Sequence, residues 1–345
     1  MKNLLRPLLY IGLTAAALFA ATMFWVTFYP NTMEYEGVRS LYIPPESGLS
    51  AVEDSLRSAE IVRSGTTFRL FARATGWGAQ IKAGHYAIEP GMSNRQLLDQ
   101  LRRGLQTPVR VTIPPGSRPE IVARVVARNM AFNEMEFLGA LRDSTTAAAV
   151  GLEESAVFSF LLPETYFFYW LSPPQAVIRK AKEEMDRLLT VKRADSAAEM
   201  TDLSNVDIVS LAAIVEWETG VEAEKARIAG VYLNRLRRGW RLQADPTVQY
   251  AIMSREGQKR RLFNRDYDLD HPYNTYRFRG LPPGPITNPS PASIMAVLNA
   301  ERHDYFYFVA TGNGDHAFSR TLSEHVRKAG EYHRLMRERR AQQGS

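Results

Sequence analysis

Two carboxylates, Glu216 and Glu218, stand at the end of an apolar stretch, Leu211-Ala-Ala-Ile-Val-Glu-Trp-Glu-Thr-Gly220. Ser204 is a suitable N-cap with Asp207 in the first turn, and Gly220 predicts a left-handed helix stop. Ile208, Leu211, Val215 and Glu218 recur at steps of three and four, so they share one helix face. Glu216 lies about 200° around the axis from Glu218. Glu218 therefore extends the apolar stripe, where desolvation raises a carboxyl pKa. The negative end of the helix and a charge on Glu216 would push the same way. A glutamic acid kept protonated near neutral pH is what general-acid cleavage of a sugar linkage requires. The same spacing also fits an ordinary helix that ends in two solvated glutamates.

The elements that must position these carboxylates follow directly. Val221 to Gly239 reads as a second amphipathic helix, and Trp240-Arg-Leu-Gln-Ala-Asp-Pro-Thr-Val-Gln-Tyr250 comes after it. Further on stand Pro272-Tyr-Asn-Thr-Tyr276 and Gly280-Leu-Pro-Pro-Gly-Pro-Ile286. This ordered set resembles the endolytic murein transglycosylase family, the YceG-like proteins, from Leu211 to about Asn288 almost without gaps. Leu162-Pro-Glu-Thr-Tyr166, Tyr305-Phe-Tyr-Phe-Val-Ala310 and His316-Ala-Phe-Ser319 extend the likeness both ways. Ala213, Trp217 and Ala244 depart from it, standing where serine, lysine and threonine are usual. None of the three removes a carboxylate.

Composition sets bounds on other chemistries. The chain has 345 residues, 45% of them hydrophobic, enough for two or three domains with a sizeable core. It has no cysteine, so neither disulfides nor thiolate zinc sites are available. The six histidines lack His-Glu-x-x-His spacing, and there is no phosphate-binding glycine loop or Rossmann fingerprint. No metal and no cofactor is expected. The net charge of +6 gathers partly in Arg327 to Arg340, without the aromatic interleaving of a nucleic-acid module. An anionic polymer such as peptidoglycan is an equally good electrostatic partner, and no nucleic acid is expected.

The N-terminus bears on the compartment. Leu8 to Tyr29 is 22 residues without a charge, about 33 Å as a helix and enough to cross a bilayer. Lys2 and Arg6 precede it and Glu34 and Glu36 follow, which puts the N-terminus in the cytoplasm and the rest outside. A cleaved signal peptide is the competitor, through the small residues Ala15 to Ala21. The apolar run continues past them to Phe24, Trp25, Phe28 and Tyr29, which suits an uncleaved anchor. Beyond it, Leu41 to Pro45 reads as a strand into a turn, with helices near Ala51–Leu56, Phe68–Ala74 and Met92–Leu98. Val111-Thr-Ile-Pro-Pro-Gly-Ser117 echoes Ile43-Pro-Pro-Glu-Ser47, and each is followed by an apolar helix and a phenylalanine, Phe68 or Phe137. The echo is one supersecondary unit used twice.

The resemblance implies an α+β chain in three parts: residues 1–36 a cytoplasmic tip and transmembrane helix, 37–107 a small LysM-like α/β module, and 108–345 a mixed α+β catalytic domain. The module either contacts glycan or merely spaces the catalytic domain from the membrane. The implied activity is endolytic lytic transglycosylation of the β-1,4 MurNAc–GlcNAc bond, leaving 1,6-anhydroMurNAc ends and terminating elongation of nascent strands. The implied setting is the inner membrane, single-pass, with the catalytic domain periplasmic and peptidoglycan synthases as partners. The resemblance places the catalytic acid at Glu218. Polar sugar contacts are expected from Gln243, Asp245, Thr247, Asn274 and Tyr276, with Glu216 beside them, although Asp245 also suits a helix start and Asn274 a turn. Asn234 and Arg235 are placed to brace Glu218. A hydrolytic muramidase, with Asp245 or Glu216 as second carboxylate, and a non-catalytic wall-synthesis scaffold are the alternatives.

Overall fold

The computed structural model of the chain describes residues 2–194 and 203–343. They form two compact units. The first comprises residues 2–111, 129–131 and 166–172, and the second the remaining described residues.

The first unit opens with α1 (Lys2–Phe28). Leu9–Phe28 is long and apolar enough to cross a membrane, and only 6% of that stretch is buried in protein. Such a helix serves equally as an anchor or a signal sequence. Its last turn is not free, because Val26 is buried and α1 packs against α3 (Gly65–Ala74) and α4 (Asn94–Arg103). Strand β1 (Arg39–Ile43) leads through the Pro-Pro turn into α2 (Leu49–Ser58), and β2 (Gly84–Ile88) pairs antiparallel with β1, Leu41 opposite Tyr86. Alternation puts Leu41 and Ile43 inward, where they meet Leu56, Phe68, Tyr86, Ile88, Leu97 and Leu101 in one core. Ser93 and Gln96 cap α4 reciprocally, and Gly104 ends it in the left-handed conformation. β3 (Val109–Thr112) pairs with β4 (Thr165–Phe168).

The echo seen in the sequence therefore has a structural counterpart. Each strand–proline turn leads into helices, α2 and α3 in one case and α5 (Pro119–Ala127) and α6 (Glu134–Leu141) in the other, before a paired strand returns. Phe68 and Phe137 are both fully buried.

In the second unit, α5, α6, α7 (Ser144–Ala149), α8 (Glu154–Val157) and α9 (Pro174–Ala194) precede the central helix α10 (Asn205–Glu218). Ser204 and Asp207 form its capping box, as the sequence predicts. Every residue from Ile208 to Val215 is buried, because α11 (Glu222–Arg237), α12 (Asp245–Glu256) and α13 (Pro291–Leu298) pack around it. A hairpin of β5 (Tyr307–Ala310) and β6 (His316–Ser319) follows, then α14 (Leu322–Gln343). The architecture is mixed α+β with an apolar N-terminal helix. One stop signal needs correction. Thr219, extended at φ −144°, ends α10, and Gly220 is not left-handed, whereas Gly239 after α11 is, at φ +62°.

Candidate active site

Glu218, the last residue of α10, lines a cleft of about 430 Å³ with Tyr232, Arg235, Gln243, Asp245 and Tyr276. The far wall is the β5 edge from Tyr307 to Ala310 with His316, and Leu322 and His325 of α14 close it.

Tyr232 is fully buried on α11 and donates its hydroxyl hydrogen to Glu218 Oε1. Burial raises the Glu218 pKa to about 7, the Asp245 charge adds to this, and Tyr232 and the Arg235 guanidinium act against it. Burial, reinforced by Glu218, holds Tyr232 well above the usual phenol range, so it remains a donor. Arg235 lies three residues further along α11, on the same face. It is tied to the Phe306 carbonyl by Nε at 2.8 Å and to the Leu242 carbonyl. The cleft thus holds one carboxyl protonated near neutral pH, a phenol donor and a fixed cation.

Asp245 differs from Glu218 in being exposed. It stands in the first turn of α12 and accepts hydrogen bonds from Tyr276 (2.6 Å) and Tyr267 (3.4 Å). Gln243 is exposed at φ +49°, an uncommon conformation for a residue with a side chain. Its amide donates to the Thr275 carbonyl. His316 Nδ1 is 2.8 Å from the carboxylate of Glu224, which also accepts the His316 amide hydrogen. That pairing fixes the ring against α11.

Three expected contacts lie elsewhere. Thr247 is fully buried, and its hydroxyl bonds the Ala244 carbonyl and Thr275. Asn274 is equally buried, donating to the Tyr267 and Leu269 carbonyls and accepting from the Tyr276 amide. Both shape the loop that presents Tyr276, and neither has a polar group left for a ligand. Glu216 is outside the cleft too. Its carboxylate takes the Ser290 amide and hydroxyl (3.1 and 2.5 Å), the Ser293 hydroxyl and Lys225 Nζ (3.2 Å). Burial pushes its pKa up, but the serines and Lys225 outweigh that and hold it below the ordinary value. Already neutralised, Glu216 is not among the groups that perturb Glu218. Asn234 also faces away, donating to the His303 and Tyr305 carbonyls.

Sequence reasoning missed Tyr232 and the lining role of Tyr307, Phe308 and His316. Tyr232 sits fourteen residues after Glu218, on the next helix, which packs against α10. The hairpin residues carried no local sign of where they would dock.

Residues 41–331 match the YceG-like family. An endolytic murein transglycosylase of Bacillus subtilis is 28% identical over 310 residues, 85% of this chain and 84% of that protein. One from Streptococcus pneumoniae is 28% identical over 321 residues, 82% of this chain, and the chain spans 58% of its length. The crystal structure of a yceG-like protein from Listeria monocytogenes superposes with a TM-score of 0.57 at 27% identity, covering 85% of this chain and 99% of that one.

Proposed function

The chain belongs to the YceG-like family, and from that premise we propose that it is an endolytic lytic transglycosylase of peptidoglycan. The observation that carries the reading is Glu218, a part-buried carboxyl raised to about 7 in an open cleft. Protonated Glu218 donates its proton to the glycosidic oxygen between MurNAc and GlcNAc, and the C1–oxygen bond breaks. The resulting carboxylate then takes the proton of the MurNAc 6-hydroxyl as that oxygen closes on C1. The product is a 1,6-anhydro ring, Glu218 is protonated again, and no water is consumed. Intramolecular attack suits a site with one acid–base group, because high effective molarity replaces a bound nucleophile. Arg235 and Tyr232 favour the anionic form of Glu218 in the second half of the cycle. Gln243, Asp245 and Tyr276 are placed to meet sugar hydroxyls.

The finer parts of the reading concern where the enzyme works. Residues 1–36 serve as an uncleaved anchor with the N-terminus in the cytoplasm, and the protein terminates nascent strands beside the synthases of the elongation machinery. Residues 37–107 act as a LysM-like glycan contact. One exposed aromatic supports that contact: Tyr42, whose ring stacks on the buried His85 at 4.6 Å.

Mass spectrometry of digested sacculi tests the proposal. Internal cuts with anhydroMurNAc ends are expected, and Glu218→Gln should abolish them while the protein stays folded. One observation favours a second reading, a hydrolytic muramidase: Asp245 is an exposed carboxylate in the same cleft and could position water. Reducing MurNAc as the main new end would select it. Full function from Glu218→Gln would leave only a non-catalytic scaffold.

A further inference from the structure

A second cavity, of about 390 Å³, also reaches the end of α10. Trp217 lines it, one residue before Glu218, and successive helical residues point about 100° apart. Helix α12 runs from one cavity to the other, with Asp245 in the Glu218 cleft and Tyr250 and Met253 in the second. The eight helical steps from residue 245 to 253 span about 12 Å.

The lining of this cavity is cationic and polar around an apolar floor. The Arg142 guanidinium is exposed and has no hydrogen-bond or ion-pair partner among the described residues. Arg118 donates to the Gly257 carbonyl and is 4.0 Å from the one carboxylate of the cavity, Glu120. Lys259, outside the lining itself, lies 4.9 Å over the ring of the lining Trp217 and has no carboxylate partner among the described residues. Ser159 is buried, yet its hydroxyl lines the cavity without a partner among the described residues. Two cations against one carboxylate in the lining, with Lys259 beside it and the Ser159 hydroxyl facing it, make a site for an anionic, hydrogen-bonding ligand.

We propose that this cavity receives an acidic peptide branch carried by the same glycan strand whose backbone lies in the Glu218 cleft. The proposal rests on the transglycosylase reading, because it takes the strand from that reading. The reach fits: four extended residues span at most about 14 Å, against about 12 Å between the cavities. Carboxylates on the branch would meet Arg142 and Lys259, while its backbone would bond Ser159.

The test compares cleavage of glycan strands bearing their stem peptides with the same strands stripped of peptide by an amidase. The wild-type enzyme should cut the peptide-bearing strands with the higher kcat/KM, chiefly through a lower KM. In Arg142→Glu that preference should fall about tenfold, the loss typical of a charge-assisted contact. Arg142→Lys should restore most of it, which a merely misfolded variant would not do. Equal cleavage of both substrates by the wild type overturns the peptide site and leaves the transglycosylase standing. An unchanged preference in Arg142→Glu also overturns it. Cleavage of neither substrate counts against the transglycosylase reading itself.

Discussion

Glu218 and Glu216 are two residues apart on one helix and have opposite electrostatic fates. The sequence argument separated them by helix face, but α10 is buried on all sides, so face alone does not distinguish them. Their partners do: a phenol for Glu218, and an ammonium with two serines for Glu216. Glu218 was thus legible as a residue, while the reason for its pKa required Tyr232 and Asp245 in place. Two consequences follow from a value of about 7. The kcat/KM for glycan cleavage should fall as pH rises through about 7, because the acid form is lost. Stability should move the same way. Between the ordinary value of 4.5 and about 7 the folded chain keeps a proton that the unfolded chain has released. Stability present below the lower value is therefore lost as pH rises to the higher one. Glu218→Gln escapes that loss. By pH 8 it should exceed the wild type by up to about 3 kcal/mol in denaturant unfolding, with no advantage at pH 4. An equal gap at both pH values would mean that Glu218 is not held protonated.

At the scale of elements, Glu216 joins the end of α10 to the start of α13. Its carboxylate caps the N-terminal turn of α13, where the helix dipole favours a negative charge. The neighbouring turn at Gly116 closes on it: the Trp217 indole donates to the Gly116 carbonyl at 2.9 Å, and the Gly116 amide donates to that of Asn288. Asn288, fully buried, in turn donates to the Pro114 carbonyl. The motif around Gly280 to Asn288 therefore serves to lock the strand–proline turn against the end of α10. Glu216→Ala should leave Lys225 buried and uncompensated, costing about 3 kcal/mol. In a thermal melt it should unfold well before the wild type, and below its melt it should still cut glycan, because Glu218 keeps its own partners. A variant that melts normally but is inactive would return Glu216 to the substrate. The helices and the Ser204 cap were legible because their signals are local, although the stop expected at Gly220 falls at Thr219. The roles of Thr247 and Asn274 were not, because a polar side chain reads alike whether it meets a ligand or satisfies a buried loop.

For the whole molecule, the decisive feature is how α1 joins the first unit. Immediately after Tyr29 the chain is bonded to the rest of the unit. Asn31 donates to Asn94, which donates to the Val26 carbonyl, and Thr32 bonds Glu89 and Met92. Val26 is 3% exposed, so the last helical turn belongs to the core of the unit. If α1 spans the membrane, the unit is held rigidly at its surface, with Trp25 and Tyr29 at the interface. Two released forms separate anchoring from folding. Both use a cleavable signal peptide, one with the mature chain beginning at Met23 and the other at Pro30. The first keeps Val26 in place and should melt with the full-length protein. The second empties the Val26 site and strips Asn94 of its acceptor, and should be less stable by about 2–4 kcal/mol. Both should cut purified sacculi, because Glu218 belongs to the other unit. Both should support cell-wall function poorly at native expression, since they lose enrichment near nascent glycan. Full function of the Met23 form in the cell would reduce the helix to an export device, and equal stability of the two forms would show that its last turn is dispensable to the fold.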